Sequence, residues 1–470
     1  MSMGNRPGEH QESLWIETAS LARSAGHPFY EKLNAILKKH GFDEMAEAVC
    51  KDFYAQGVGR PSTPPGVYFR MLFVGFFEGI DSERGIAWRT ADSMALRAFL
   101  GYGLDETTPD HSNLSRTRNR IDLATHQKIF DWVLATLAKE GLLKGKSLGI
   151  DATTLEANAA LRSIVRRDTG ENYDEFLDGL AKASGVETPT REDRSKIDKN
   201  RKGKGSNKDW KSPSDPDARI TKMKDGRTHL AHKAEHAIDM DTGALVAVTL
   251  QGANLGDTTT VHETVASSKQ NLSQAAREPE ARKNMKPLRE TICDKGYHGS
   301  ECLIELQREH NLSTYIAEPK RGRRKWKHKQ DQREATYTNR RHIKSERGKA
   351  LMRKRGELVE RSFAHIYDTG AMRRTHLRGH QNILKRLLIH AAGFNLSLIL
   401  RNTIGKGTPR GAGLQTNLIK STLLTLQRTL ISLKKMKPKS QGRYKLAHFT
   451  KNITILIFRT RVKQVFATDC

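Results

Sequence analysis

Cysteine is scarce. Four of the 470 residues are cysteine, and Cys50, Cys293, Cys302 and Cys470 are too scattered for a disulfide framework or for the paired thiolates of a zinc site. That usage implies a reducing compartment. Long apolar runs are also lacking: the best, Ile383 to Leu400, is interrupted by Lys385, Arg386 and His390, and the amino-terminal Met-Ser-Met-Gly-Asn-Arg-Pro-Gly-Glu-His has no apolar core. Neither a membrane span nor a signal peptide is expected. Acids are short as well, with 53 Asp+Glu against 81 Lys+Arg and a formal net charge of +28. Such an excess calls for a polyanionic partner. Because Lys and Arg recur along the whole chain rather than in one block, nucleic acid fits better than a membrane surface. What is present is 36% hydrophobic residues, enough for a sizeable core in two to four structural units and too much for wholesale disorder.

Residues 11–140 read as helical. Ser13-Leu-Trp-Ile-Glu, Pro28 to His40, Gly66 to Ile80, Ala91 to Gly101 and Ala124 to Glu140 carry apolar residues three and four apart. The run Thr107-Thr-Pro-Asp-His-Ser-Asn-Leu-Ser-Arg-Thr-Arg-Asn-Arg places capping residues before a basic helical start, a phosphate-facing pattern. Residues 1–145 are therefore expected to form a helical, DNA-binding region. From Ser147-Leu-Gly-Ile-Asp the texture becomes β-like. A polar stretch at 161–227 reads as an exposed insertion, a hairpin turns at Met240-Asp-Thr-Gly, Asn254-Leu-Gly-Asp caps a helix, and strands follow at Glu290 to Asp294 and Leu312 to Ala317. A second, basic insertion at about 320–350 precedes a helix around Glu357-Leu-Val-Glu-Arg-Ser-Phe. This order, strand, hairpin, helix, strand, helix, strand, insertion, helix, matches a ribonuclease-H-like mixed sheet flanked by helices over 146–403.

Three acids stand where such a core would gather them: Asp151 near the end of the first strand, Asp294 at the end of the fourth, and Glu360 on the last helix. Strand-end carboxylates plus one from a helix are hard oxygen ligands suited to Mg2+ or Mn2+. Two such ions about 4 Å apart activate an attacking hydroxyl and stabilise the leaving oxygen in phosphodiester chemistry. Glu357, one turn before Glu360, is the rival third ligand. Asp239 and Asp241 flank a turn and Asp257 looks like a helix cap, so all three read as structural. Cys293, by strand alternation, points away from Asp294 and reads as a small buried residue. Lys295, Tyr297 and His298 are candidates either for contact with DNA near the cut or for plain solvent exposure.

Gly149-Ile-Asp-Ala-Thr, Cys293-Asp-Lys-Gly-Tyr-His-Gly and Leu358-Val-Glu-Arg-Ser-Phe resemble the three acidic blocks of bacterial insertion-sequence transposases of the DDE class. So do Ser214-Asp-Pro-Asp-Ala-Arg, Asp225-Gly-Arg-Thr-His-Leu-Ala-His-Lys and the blocks beginning at Met372 and Lys385. The likeness spans about residues 60–403. It implies that Asp151, Asp294 and Glu360 bind the catalytic metals, and that the protein cuts the ends of a mobile element and joins their 3′-OH ends to target DNA. It further implies double-stranded DNA as partner, a homodimer that synapses two ends, and a cytoplasmic, nucleoid-associated location. Some relatives carry Tyr, Arg and Lys seven before, four before and seven after the catalytic Glu. Arg353, Gly356 and Tyr367 stand there instead, so their handling of terminal nucleotides and hairpin intermediates does not transfer. The alternative reading is a non-catalytic DNA-binding protein derived from such an enzyme.

Basic residues supply affinity by neutralising phosphates. Three segments qualify: Lys196 to Lys211, including Lys202 and Lys204; Lys320 to Lys329, including Arg321, Arg323 and Arg324; and the run Arg373, Arg374, His376, Arg378 and His380, just past the expected catalytic helix. Trp210 and Trp326 lie inside the first two, where they would either stack on a base or pack against the core. Residues 404–470 hold 14 Lys+Arg and Asp469 as their one acid. This tail reads as a DNA-binding appendage or as an extension translated in an unusual frame.

Overall fold

The computed structural model describes residues 28–55, 62–201, 205–223, 225–320, 322 and 324–409. Helix expected at Ser13, and the whole tail beyond Pro409, lie outside them. The amino-terminal region is helical, with α1 (Pro28–Lys39), α2 (Phe42–Cys50), α3 (Pro65–Glu78), α4 (Glu83–Asp92), α5 (Met94–Leu100), α6 (His111–Arg120) and α7 (Leu123–Lys139). Local chemistry sets the starts. Ser82, Ser93, Asp110 and Asp122 each accept a hydrogen bond from the backbone N–H three residues on, and Pro65 occupies the first position of α3. The single helix expected over Ala91 to Gly101 is thus two, because Ser93 takes an extended conformation and caps α5.

The chain then alternates through β1 (Ser147–Glu156), β2 (Val165–Arg166), α8 (Tyr173–Ala183), α9 (Arg191–Asn200), β3 (Trp210–Lys211), β4 (Arg219–Lys222), β5 (Thr228–Asp239) and β6 (Leu245–Gly252). It continues with α10 (Asp257–Ala275), α11 (Pro279–Asn284), β7 (Glu290–Cys293), α12 (Ser300–Ile304), β8 (Ser313–Ile316), α13 (Gln330–Lys344), α14 (Glu346–Phe363) and α15 (His380–Ile404). Strands β5, β1, β7 and β8 lie side by side, with β4 and β6 sharing the outer edge of β5. β1, β7 and β8 are parallel, and β5 runs against β1. This is a ribonuclease-H-like mixed sheet. Successive residues of β5 show both its faces: Glu235 bonds to Thr260 of α10, whereas His236 bonds to Ser362 of α14.

The two stretches expected as insertions hold ordered elements. Residues 161–227 contain α8, α9 and three short strands around their own small core, in which Trp210 is buried against Tyr173 and Phe176 at ring distances of 5.0 and 5.3 Å. Packing, not base stacking, is what Trp210 does. In the second stretch α13 covers the edge of β8: the Asn339 side chain donates to the Ile316 carbonyl and accepts from its N–H, at 2.8 and 2.9 Å. The backbone groups of Ile316 on an otherwise open strand edge are thereby met.

α15 joins the halves. It is, among the described residues, the one helix long and apolar enough to cross a membrane, yet most of it is buried inside the fold. On the sheet side Asn395 pairs with both backbone groups of Leu245 at 2.8 and 2.9 Å; on the helical side Arg386 donates to the Ile80 carbonyl at 2.9 Å. The charged interruptions Lys385, Arg386 and His390 are buried joints.

Candidate active site

The parallel ladder between β1 and β7 ends at the pair Ile150 and Cys293, so Asp151 and Asp294 are the next residues on neighbouring strands. Asp151 is not at the end of its strand, as the sequence suggested. β1 continues to Glu156 through its pairing with β5, and at Glu156 it also bridges Arg374. What ends at Ile150 is the partner β7, and Asp151 is the first residue of β1 whose β7 side is open.

Beyond β7 the Asp294 side chain accepts the Gly296 N–H at 2.7 Å, capping a single turn over Lys295–Tyr297. That turn is anchored from below. Tyr297 is fully buried and donates to Glu235 Oε1 at 2.7 Å; Thr260 donates to the same oxygen at 2.9 Å. Lys233, also buried, donates to Asp257 Oδ1 at 2.6 Å. Asp257 is therefore an ion-pair partner rather than a cap, since Gly256 occupies the cap position without a side-chain bond. A Cβ at Gly296 would lie 2.3 Å from Asp257 Oδ2, so a larger residue there would displace that carboxylate. Tyr297 and His298 are both buried and so are withheld from DNA, whereas Lys295 is exposed. Cys293 is buried, and burial pushes its thiol well above the usual range.

Burial holds the Asp151 carboxyl above its ordinary pKa, and the neighbouring Asp294 charge pushes the same way; Arg355 opposes both. Arg355 lies on α14, and its Nη1 donates to Asp151 Oδ2 at 2.7 Å. Two hard carboxylates, one of which already holds a cation, suit a divalent ion in donor chemistry.

Glu360 does not join them. Its side chain is exposed, and among the described residues it makes no hydrogen bond or ion pair and no three metal-binding side chains cluster. The reason is helical phase. Arg355 and Val359, one turn apart, both face Gly149 of β1, and Ser362 continues that stripe to His236; Glu360 is about 140° round the helix from Arg355. Glu357 is no nearer, being exposed and paired with Arg361 at 2.8 Å.

His236 stands directly opposite Asp151 in the β1–β5 register. Ser362 Oγ donates to the Val359 carbonyl, so it accepts from His236 Nδ1 at 2.9 Å, leaving Nε2 to accept from the Tyr367 hydroxyl at 2.6 Å. Burial pushes this histidine down to about 3, so it is a neutral strut. Sequence reasoning missed His236 and Arg355. Neither carries a local signal, because each matters through a register set more than a hundred residues away.

The arginines after α14 lie along the far half of β1. Arg373 donates to Thr153 Oγ1 at 3.2 Å and pairs with Asp368 at 2.8 Å; Arg374 reaches Glu156 at 3.6 Å; Arg378 donates to the Asn158 carbonyl at 3.1 Å. Thr153 shares a strand face with Asp151. In the other basic segments, Lys320 is exposed, and Arg324 sits 3.6 Å from Glu318 and over the half-buried Trp326 ring. Lys202, Lys204, Arg321 and Arg323 lie outside the described residues.

Residues 19–120 match the family described as Transposase domain (DUF772), and residues 185–396 match the Transposase DDE domain. The second match contains Asp294 and Glu360; Asp151 falls between the two. No curated protein and no solved structure matches the chain. With a transposase domain on the helical half and a DDE domain on a ribonuclease-H-like sheet, the chain belongs to the DDE transposases of insertion sequences.

Proposed function

We propose that this transposase cleaves phosphodiester bonds at the ends of its element and joins the freed 3′-hydroxyls to target DNA, with Asp151 and Asp294 as the paired metal ligands. The observation that carries the reading is their register: two carboxylates on neighbouring parallel strands, one residue past the last shared rung. Divalent ions held there, Mg2+ or Mn2+ and two in number, would supply activation of the attacking hydroxyl and stabilisation of the leaving oxygen. The chain's own residues do the rest. The capped turn after β7 fixes Asp294, and the half-buried pocket of Asp151 excludes water from one side. The arginines along β1 hold the DNA backbone beside them. Glu360, exposed on α14, is the third ligand that this reading requires. Water breaks the strand and leaves a 3′-hydroxyl, which then attacks a target phosphodiester, so no covalent protein–DNA intermediate forms.

The helical half would grip the element ends, a homodimer would hold two of them, and the work would take place in the bacterial cytoplasm at the nucleoid. A second reading, an end-binding protein without catalysis, is favoured by one observation: Glu360 faces away while Asp151 carries Arg355. Incubation with duplexes bearing the inverted repeats that flank the coding region, in Mg2+, followed by mapping of strand breaks, separates the two. Breaks at the element boundary support the enzyme; end binding without breaks supports the second reading.

A further inference from the structure

Resting on the assignment of Asp151 and Asp294 as metal ligands, we propose that Arg355 is the resident counter-ion of that pair, and that it gives way to a divalent ion only when a DNA phosphate takes its guanidinium. Three observations point this way. Arg355 is packed, not loose: its side chain is 12% exposed and its stem lies against Gly149, where a Cβ would come within 3.3 Å of Cγ. Its charge sits on Asp151, whose neighbour on the adjacent strand is the carboxylate of Asp294. Its hold is partial: a single Nη1 contact reaches the carboxylate, and Nε is buried without a partner.

A guanidinium with donors to spare matches a phosphate in two-point geometry better than it matches one carboxylate oxygen. A phosphate path lies beside it, because Arg373 touches Thr153 on the face of β1 that carries Asp151. Guanidinium and metal carry like charge and compete for one carboxylate in a half-buried setting, where their repulsion is poorly screened. DNA that draws Arg355 away frees Asp151, so DNA and metal bind with positive coupling, and coupling of this kind is reciprocal. The empty protein is thereby kept from metal-loaded cutting until an end is in place.

The test is Mn2+ binding to the full chain, followed by calorimetry and by the electron paramagnetic resonance of free Mn2+, with and without a duplex bearing an element end. Wild type is compared with Arg355→Met, which keeps the stem on Gly149, with Arg355→Lys, which keeps the charge, and with Asp151→Asn. Without DNA, Arg355→Met binds Mn2+ about tenfold more tightly than wild type, within the usual range of coupling between sites, while Arg355→Lys stays close to wild type. Adding DNA raises the affinity of wild type by a similar factor and that of Arg355→Met little. Asp151→Asn loses the site in every case. Equal Mn2+ affinity in wild type and Arg355→Met, both abolished by Asp151→Asn, overturns the counter-ion role and leaves the metal ligands standing. Absence of Mn2+ binding in all proteins, with and without DNA, overturns both.

Discussion

Asp151 and His236 face each other across the antiparallel pair β1 and β5, one carrying the charge of the candidate site and the other fixing the helix that covers it. Through Ser362 and Tyr367, His236 ties the end of α14 and the turn after it to the sheet. Arg355 lies on the same helix, with its guanidinium on Asp151.

His236 gives the protein a pH dependence of definite sign. Its folded pKa, about 3, lies below the unfolded value of about 6.5, so between these limits the unfolded chain binds a proton that the folded chain refuses. Stability should fall as the pH drops from about 6.5 toward about 3, by up to about 1.4 kcal/mol per pH unit from this one site. In urea unfolding at several pH values, His236→Gln should be less stable at neutral pH and lose less on acidification. An unchanged slope would mean that His236 is charged in the folded state.

The joint between the halves is a close approach. A Cβ on Gly393 of α15 would meet the Phe76 ring of α3 at 2.6 Å, and neither a ring packed in a core nor two packed helices yield cheaply. Gly393→Ala should cost about 1–3 kcal/mol in denaturant unfolding. Wild-type stability would show that α3 and α15 are packed less tightly than described.

The order of strands, the hairpin and the acidic blocks were legible in the sequence, because alternation and turn residues are local. The two supposed insertions were not. Trp210, Tyr173 and Phe176 are scattered among charges and look like surface until Trp210 pairs with Arg166 and closes a small core. The third carboxylate shows the other limit. A motif places Glu360 on α14, but which way it points follows from which stripe of that helix meets the sheet, and Arg355, Val359 and Ser362 take that stripe.

The ion pairs of Arg373 with Asp368 and of Arg374 with Glu156 are between partly exposed groups, contacts that contribute little to stability. These arginines and Arg378 remain available to phosphates. Replacing all three with Ala should leave the fold intact by circular dichroism and make the salt slope of log affinity for an element end shallower by about 0.9 per lost contact. An unchanged slope would take this segment off the DNA surface and leave the segments around Lys196 to Lys211 and Lys320 to Lys329.

The pairing of Asp151 with Asp294 as the reacting centre is tested most directly by Asp294→Asn, which nearly keeps the shape of the side chain and its acceptor for the Gly296 N–H while removing the ligand charge. Cleavage of a verified element end in Mg2+ and binding of the same end are measured on one preparation. The account predicts a fall in cleavage of at least about 100-fold, the several kcal/mol expected of a metal ligand, with end affinity changed by less than about threefold because phosphate contacts lie elsewhere. Cleavage by Asp294→Asn at the wild-type rate would contradict it.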